Sequence, residues 1–183
     1  MVRMRVAGLT IDQQSKTPMV ILREQDGQVV LPVWIGALEA MNVSMALNGE
    51  SQPRPLSQDL LLQALDALDA SLAACQITGL EDGVYRAHLV LRGPTGTARV
   101  DCRPADAIVL SVRGKAPLLV SEDVLARSAA AQQRVQERLR EEDPSLLAVS
   151  QSSLQPPGEG STSREERYRQ ILRTLDPVSP RKM

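Results

Sequence analysis

The chain has no phenylalanine, one tryptophan and two tyrosines, so aromatic residues make up only 2% of it. Any core must therefore be aliphatic, built from Leu, Val, Ile, Ala and Met; a hydrophobic content of 43% over 183 residues supplies one domain plus an appendage. Cysteine is nearly absent. Cys75 and Cys102 make neither a disulfide framework nor a zinc site, and both sit in apolar, strand-like stretches where buried free thiols are expected. His88 is the only histidine, so a Ser-His-Asp or Cys-His catalytic unit would have to use it, yet no G-x-S-x-G elbow exists. The G-x-x-x-x-G-K-[ST] loop, the G-x-G-x-x-G turn and paired C-x-x-C are all missing, which excludes P-loop hydrolysis, a Rossmann cofactor and a zinc ribbon. Neither sign of charge is in excess: the formal net charge is −1, unlike a dedicated high-affinity DNA or RNA binder. Nucleic-acid contact would need local clustering of arginine, or a metal. Nothing approaches the run of about 18 apolar residues that a membrane span needs. The opening "MVRMRVAGLTID" alternates without an apolar leader core, so a soluble cytoplasmic protein is expected.

What is present reads as an α+β domain: a mixed, mostly antiparallel sheet packed with helices, followed by a C-terminal helical extension. Residues 2 to 11 alternate as a strand, with Gly8 a bulge where the apolar face switches. "PMVILRE" and "QVVLPVWIG" form two strands joined through Asp26-Gly27; the second is apolar on both faces, which predicts a central, covered strand. Gly36 opens a helix through "ALEAMNVSMAL", stopped at Asn48-Gly49. Ser57 caps the next helix, expected to run to about Ser71 with Leu61, Leu65, Leu68 and Leu72 packing on the sheet. Strands follow near 73 to 80 and 84 to 92.

"VYRAHLVLR" and "TARVDCR" flank the turn "GPTG". Closing there pairs Leu91 with Ala98, Leu89 with Val100 and Ala87 with Cys102 on an apolar face, and His88 with Asp101 on the polar one. A one-residue slip would invert both faces, so the register is well specified. Pro104 starts a buried helix of about 104 to 113. "APLLV" is a short strand, and Ser121 caps a last helix whose later part is charged on most faces. The domain boundaries read as 1–128 for the α+β domain, 129–143 for a charged helical extension, 144–163 for a flexible linker and 164–183 for a short amphipathic helix and tail. That helix cannot fold alone and suits a partner protein or docking on this domain.

Three polar clusters sit where chain enters helix. In "RPLSQDL", Ser57 and Asp59 have a plain structural role at a helix start; a functional role would add Arg54 as a phosphate clamp and Asp59 as base or metal ligand. In "DCRPAD", Asp106 would accept the Arg103 N–H as a cap, or Asp101 and Asp106 would converge on a hard cation while Arg103 holds a phosphate. Glu39, in the first turn after "WIG", gains weight only if the three helix starts meet in space.

Together "LPVWIGALEA", "PRPLSQDLL", "DGVYRAHLVL" and "DCRPADAIVLSVRGKAPLLVSEDVL" resemble, in order and spacing, the bifunctional nuclease (BFN) domain family over roughly residues 2 to 128. The resemblance implies a dimeric α+β domain with nuclease activity on RNA and DNA, assisted by divalent metal. It carries Glu39, Arg54, Asp59, Asp101, Arg103 and Asp106 onto the family's polar positions. Three positions in two motifs depart: Ser57 and Gln58 stand where the family commonly has Thr and His, and Ala105 stands where a Ser would cap. The resulting expectation is a metal-assisted nuclease in which Asp59, Asp101 and Asp106 are catalytic. Glu39, Asp101 and Asp106 would hold Mg²⁺ or Mn²⁺, and Arg54 and Arg103 would bind the phosphate. The alternative from another class is a non-catalytic dimeric interaction module, in which the acid–arginine pairs are internal salt bridges.

Overall fold

The structure is a computed structural model that describes residues 1–12, 15–25, 27 and 29–130. The expectations for the rest of the charged extension, the linker and the C-terminal helix lie outside the described residues, as does Asp26 of the first turn. Ten elements run in the order β1 (Val2–Ile11), β2 (Pro18–Glu24), β3 (Val30–Trp34), α1 (Ala37–Leu47), α2 (Ser57–Ala67), β4 (Ser71–Glu81), β5 (Val84–Gly93), β6 (Gly96–Cys102), α3 (Pro104–Arg113) and β7 (Leu118–Val120). A further helix, α4, is described over 122–130. Among the described residues no helix is long and apolar enough to cross a membrane.

The strands form one sheet in the order β3-β2-β1-β7-β4-β5-β6. Pairing is antiparallel except between β4 and β7, which are parallel. The three-residue strand β7 is the joint: it bonds β1 on one side and β4 on the other, so the two halves share one sheet. The β1–β2 register shifts between Val6 and Gly8, as a bulge at the glycine requires. In the β5–β6 hairpin His88 faces Asp101 and Leu89 faces Val100, the register that the alternation predicts, with Gly93 opposite Gly96 and a turn of Pro94 and Thr95.

Several expectations are corrected. β3 is an edge strand, not a central one; its residues Leu31, Pro32 and Val33 are buried on both faces all the same, and Pro32, which lacks an N–H, fits an edge. Helix α2 stops at Ala67, four residues before Ser71, and the residue at its N-cap is Leu56, with Ser57 the first helical residue. Its stripe is shallow, since no α2 residue is fully buried and Leu68 is 72% exposed; Leu62 and the strand residue Leu72 make the core contact instead. The apolar face of β6 is likewise open, Val100 being 44% exposed, because nothing beyond this edge covers it among the described residues.

Helix α3 is buried through Ala105 and Ala107–Ser111, as its all-round apolar sequence dictates. It packs on α1, β4, β5 and β7, filling the hollow of the sheet. The sheet wraps around it. Strands β3 and β5 are five spacings apart in the order, roughly 24 Å in a flat sheet, yet Tyr85 Oη of β5 donates to the Pro32 carbonyl of β3 at 3.1 Å. The same hydroxyl lies 3.1 Å from Ser128 Oγ on α4, and Ser128 is itself buried. Replacing Tyr85→Phe is expected to cost about 1 kcal/mol, read as a lower urea midpoint with unchanged slope. An unchanged midpoint would mean that the seam closes without this bond.

Candidate functional site

Closure of the sheet brings the end of β3 and the start of α3 together. An open cleft of about 490 Å³ lies there, with Trp34, Gly36, Glu39, Tyr85, Arg103 and Pro104 among its walls. Each charged member sits at a strand-to-helix junction. Gly36 is the N-cap of α1, and Glu39 at its third position turns back so that Oε2 accepts the Gly36 N–H. Pro104 opens α3, which leaves Arg103 extended at the N-cap with its side chain free to reach out.

Arg103 ties the two junctions together. Its Nη1 donates to Glu39 Oε1 at 2.6 Å, while Nε and Nη2 donate to the two oxygens of Asp106 at 2.8 and 3.1 Å. Asp106 therefore binds the Arg103 side chain as a fork, rather than capping its backbone N–H. Asp106, and then Glu39, hold this guanidinium still more firmly in its charged form. The arginine is 66% exposed although its partners are only 24% and 30% exposed, so the cation faces the cleft and the acids lie behind it.

The other candidates are elsewhere. Asp59 Oδ2 accepts the Leu56 N–H at 3.2 Å, and Asp59 Oδ1 is 3.2 Å from Arg113 Nη1. Arg113, in the last turn of α3, is only 12% exposed and also donates to the Glu50 carbonyl. Arg54 is exposed in the loop before α2, and Asp101 is exposed on β6; neither makes an ion pair among the described residues. The structure thus gathers Glu39, Arg103 and Asp106, puts Asp101 on β6 two residues before Arg103, and keeps Asp59 with Arg113.

Carboxylate oxygens are what a hard cation takes, but as arranged these residues do not hold one. Arg103 binds Glu39 and Asp106 together, Arg113 engages Asp59, and no group of three or more His, Cys, Asp or Glu among the described residues could hold a metal ion. Cysteine chemistry is equally remote. Burial pushes the Cys75 thiol up to about 12. Burial, with Asp106 and Asp101 nearby, pushes Cys102 up to about 11, so neither supplies a thiolate near neutral pH.

Trp34 in this cleft and Arg113 at the other end of α3 carry signals that motif reading passes over. Trp34 is 47% exposed in the cleft wall, and its indole N–H donates to Asp12 Oδ2 at 3.1 Å. A lone tryptophan at a strand end was the available clue. Arg113 offered only a basic residue in a last helical turn, which ordinary helix-dipole pairing explains.

The comparisons with known proteins bear on this geometry. A family profile described as "Bifunctional nuclease domain" matches residues 20–133. Two Mycobacterium tuberculosis proteins, from different strains and both named as uncharacterized, are each 35% identical over 124 residues, covering 68% of this chain and 74% of theirs. A rice (Oryza sativa subsp. japonica) protein named Bifunctional nuclease 2 is 26% identical over 117 residues, covering 62% of this chain but only 36% of its own length.

The two arginines differ in what they hold up. Arg113→Leu strands a half-buried Asp59 and is expected to cost about 1–3 kcal/mol. Arg103→Leu removes a cation that is mostly in solvent, 66% exposed against 12% for Arg113, and should change stability by less than about 1 kcal/mol. Urea melts of both variants check this; equal losses would mean that Arg103 is a structural clamp.

Proposed function

The chain belongs to the bifunctional nuclease domain family, and from that premise we propose that it hydrolyses phosphodiester bonds of RNA and/or DNA at the Arg103 cleft. The observation that carries this reading is the outward guanidinium of Arg103, backed by two carboxylates. A guanidinium has five N–H groups; three are used on Glu39 and Asp106, and two remain for the oxygens of a phosphate. A phosphate bound there loosens the hold of Arg103 on its acids, and Glu39 or Asp106 then accepts a proton from the attacking water. The water oxygen bonds to phosphorus, the bond to the leaving oxygen breaks, and that oxygen leaves with the proton that the carboxylate had accepted. Trp34 offers its ring to an adjoining base, a contact that every base can make.

Glu39, Asp101 and Asp106 against Arg103 leave the local charge negative, which disfavours a phosphodiester unless more positive charge arrives. That deficit is why we keep the divalent cation as part of the proposal to be tested, with Mg²⁺ and Mn²⁺ as candidates and no step assigned to either. A second reading, a non-catalytic dimeric interaction module, is favoured by one observation: Arg103 with Glu39 and Asp106, and Arg113 with Asp59, have the pattern of internal salt bridges.

Purified protein incubated with single-stranded RNA and DNA, in Mg²⁺, Mn²⁺ or EDTA, separates the two readings. Cleavage is expected to fall at least about 100-fold in Arg103→Ala, the loss typical of one removed charge-stabilising donor, and also in Asp101→Asn/Asp106→Asn. Activity unchanged in both variants would place the chemistry elsewhere, and no cleavage under any condition would favour the interaction module.

A further inference from the structure

The sheet face opposite α3 carries arginines without ion-pair partners among the described residues. Strand β1 turns Val2, Met4 and Val6 to the core, so Arg3 and Arg5 point outward, and both are exposed. Arg23 of β2 is the direct neighbour of Arg5 in the register. On the far side of the same face, Arg99 of β6 lies opposite Val90, and Arg92 of β5 lies opposite Thr97. Both arginines are exposed. None of these five makes an ion pair or a side-chain hydrogen bond among the described residues. Glu24, the nearest acid in sequence to Arg23, directs its carboxyl to the turn at Gly27.

Between the two groups of arginines the face is neutral. One row runs without a break through Arg3, Leu119, Gln76, His88 and Asp101, across β1, β7, β4, β5 and β6. Asp101 is the one acid in that row. In a protein of net charge −1, five guanidinium groups unpaired among the described residues are a strong local excess on one face. Two like charges directly opposite each other on neighbouring strands destabilise a sheet, and Arg5 with Arg23 is such a pair. An external anion is what would relieve that repulsion. The face also leads to the cleft: Arg99, Asp101 and Arg103 alternate along one strand and its exit, about 13 Å from first to last at 3.3 Å per residue.

We propose that this outer sheet face is a docking track for the phosphate backbone of a single nucleic-acid strand, with Arg3, Arg5, Arg23, Arg92 and Arg99 as its contacts and the β6 edge delivering the strand to Arg103. It deepens the nuclease reading and rests on it for the identity of the polyanion. Binding is electrostatic and independent of sequence, because the track offers guanidinium groups and no aromatic platform.

The test is fluorescence anisotropy of a labelled single-stranded oligonucleotide in EDTA, over a range of salt, with the full chain. The variants are Arg5→Ala/Arg23→Ala and Arg92→Ala/Arg99→Ala, with Arg5→Lys/Arg23→Lys keeping the charge. Each Ala pair is expected to weaken binding roughly 10- to 30-fold near 0.1 M salt and to reduce the log–log salt slope by about 1.4, at ~0.7 per phosphate contact. The Lys pair should restore most of both. Wild-type affinity and slope in both Ala pairs would overturn the track, as would Lys variants as weak as the Ala ones, which would point to lost packing. Hydrolysis of a small diester, bis(p-nitrophenyl) phosphate, reads the cleft alone and should be unchanged in the Ala pairs. Arginine-dependent oligonucleotide binding without any hydrolysis would uphold the track and reject the nuclease reading; hydrolysis with arginine-independent binding would do the reverse.

Discussion

Burial of one helix governs the architecture. Helix α3 is apolar in nearly every direction, with Ala107 and Ile108 fully shielded, and a flat sheet could cover only one side of it. The sheet curls instead, until a hydroxyl on β5 reaches a carbonyl on β3. From that curl comes the meeting of two junctions distant in sequence, the β3 exit at Trp34–Glu39 and the β6 exit at Arg103–Asp106. Without it Glu39 and Arg103, 64 residues apart, would not share a hydrogen bond. Both junctions are helix starts, whose dipoles temper the negative charge that the acids leave in the cleft.

The charges there are poised rather than neutralised. A fully buried arginine–carboxylate cluster would serve stability and nothing else, and removing one partner would be severe. Arg113 with Asp59 comes nearer to that case, the arginine being largely shielded and joined to a backbone carbonyl. Arg103 differs in being mostly open to solvent while its acids are not. An exposed guanidinium exchanges partners at low cost, and that is the property a phosphate-binding group requires.

Much of this was readable beforehand, and the reasons are local. The β5–β6 register followed from a face of Ala87, Leu89 and Leu91 against one of His88 and Arg92, because a period of two admits one solution. Helix α3 followed from Pro104 and the apolar run after it. The grouping of Glu39 with Arg103 and Asp106 was visible only as three helix starts that could meet, and it took the curl of the sheet to decide which did. Asp59 went to Arg113 instead, a pairing that depends on the distance between α2 and the end of α3, and no periodicity encodes that. β3 misled for a related reason: apolar on both faces suggests a centre, but an edge strand folded back against Tyr85 is covered just as well. The short helix α2 was overextended because Leu68 and Leu72 keep a helical spacing across the turn at Asp69, whose positive φ of 52° ends the helix.

The whole functional reading stands on the claim that a phosphate reaches Arg103 beside Trp34. Since Trp34 is the only tryptophan in the chain, its emission reports that cleft alone. The direct measurement is a fluorescence titration with a dinucleotide phosphodiester in EDTA, too short to depend on the arginines of the sheet face. Saturable quenching in the wild type, with affinity lost in Arg103→Ala, is the expected result. Emission that stays constant at saturating dinucleotide, or quenching that ignores the substitution, would contradict the claim.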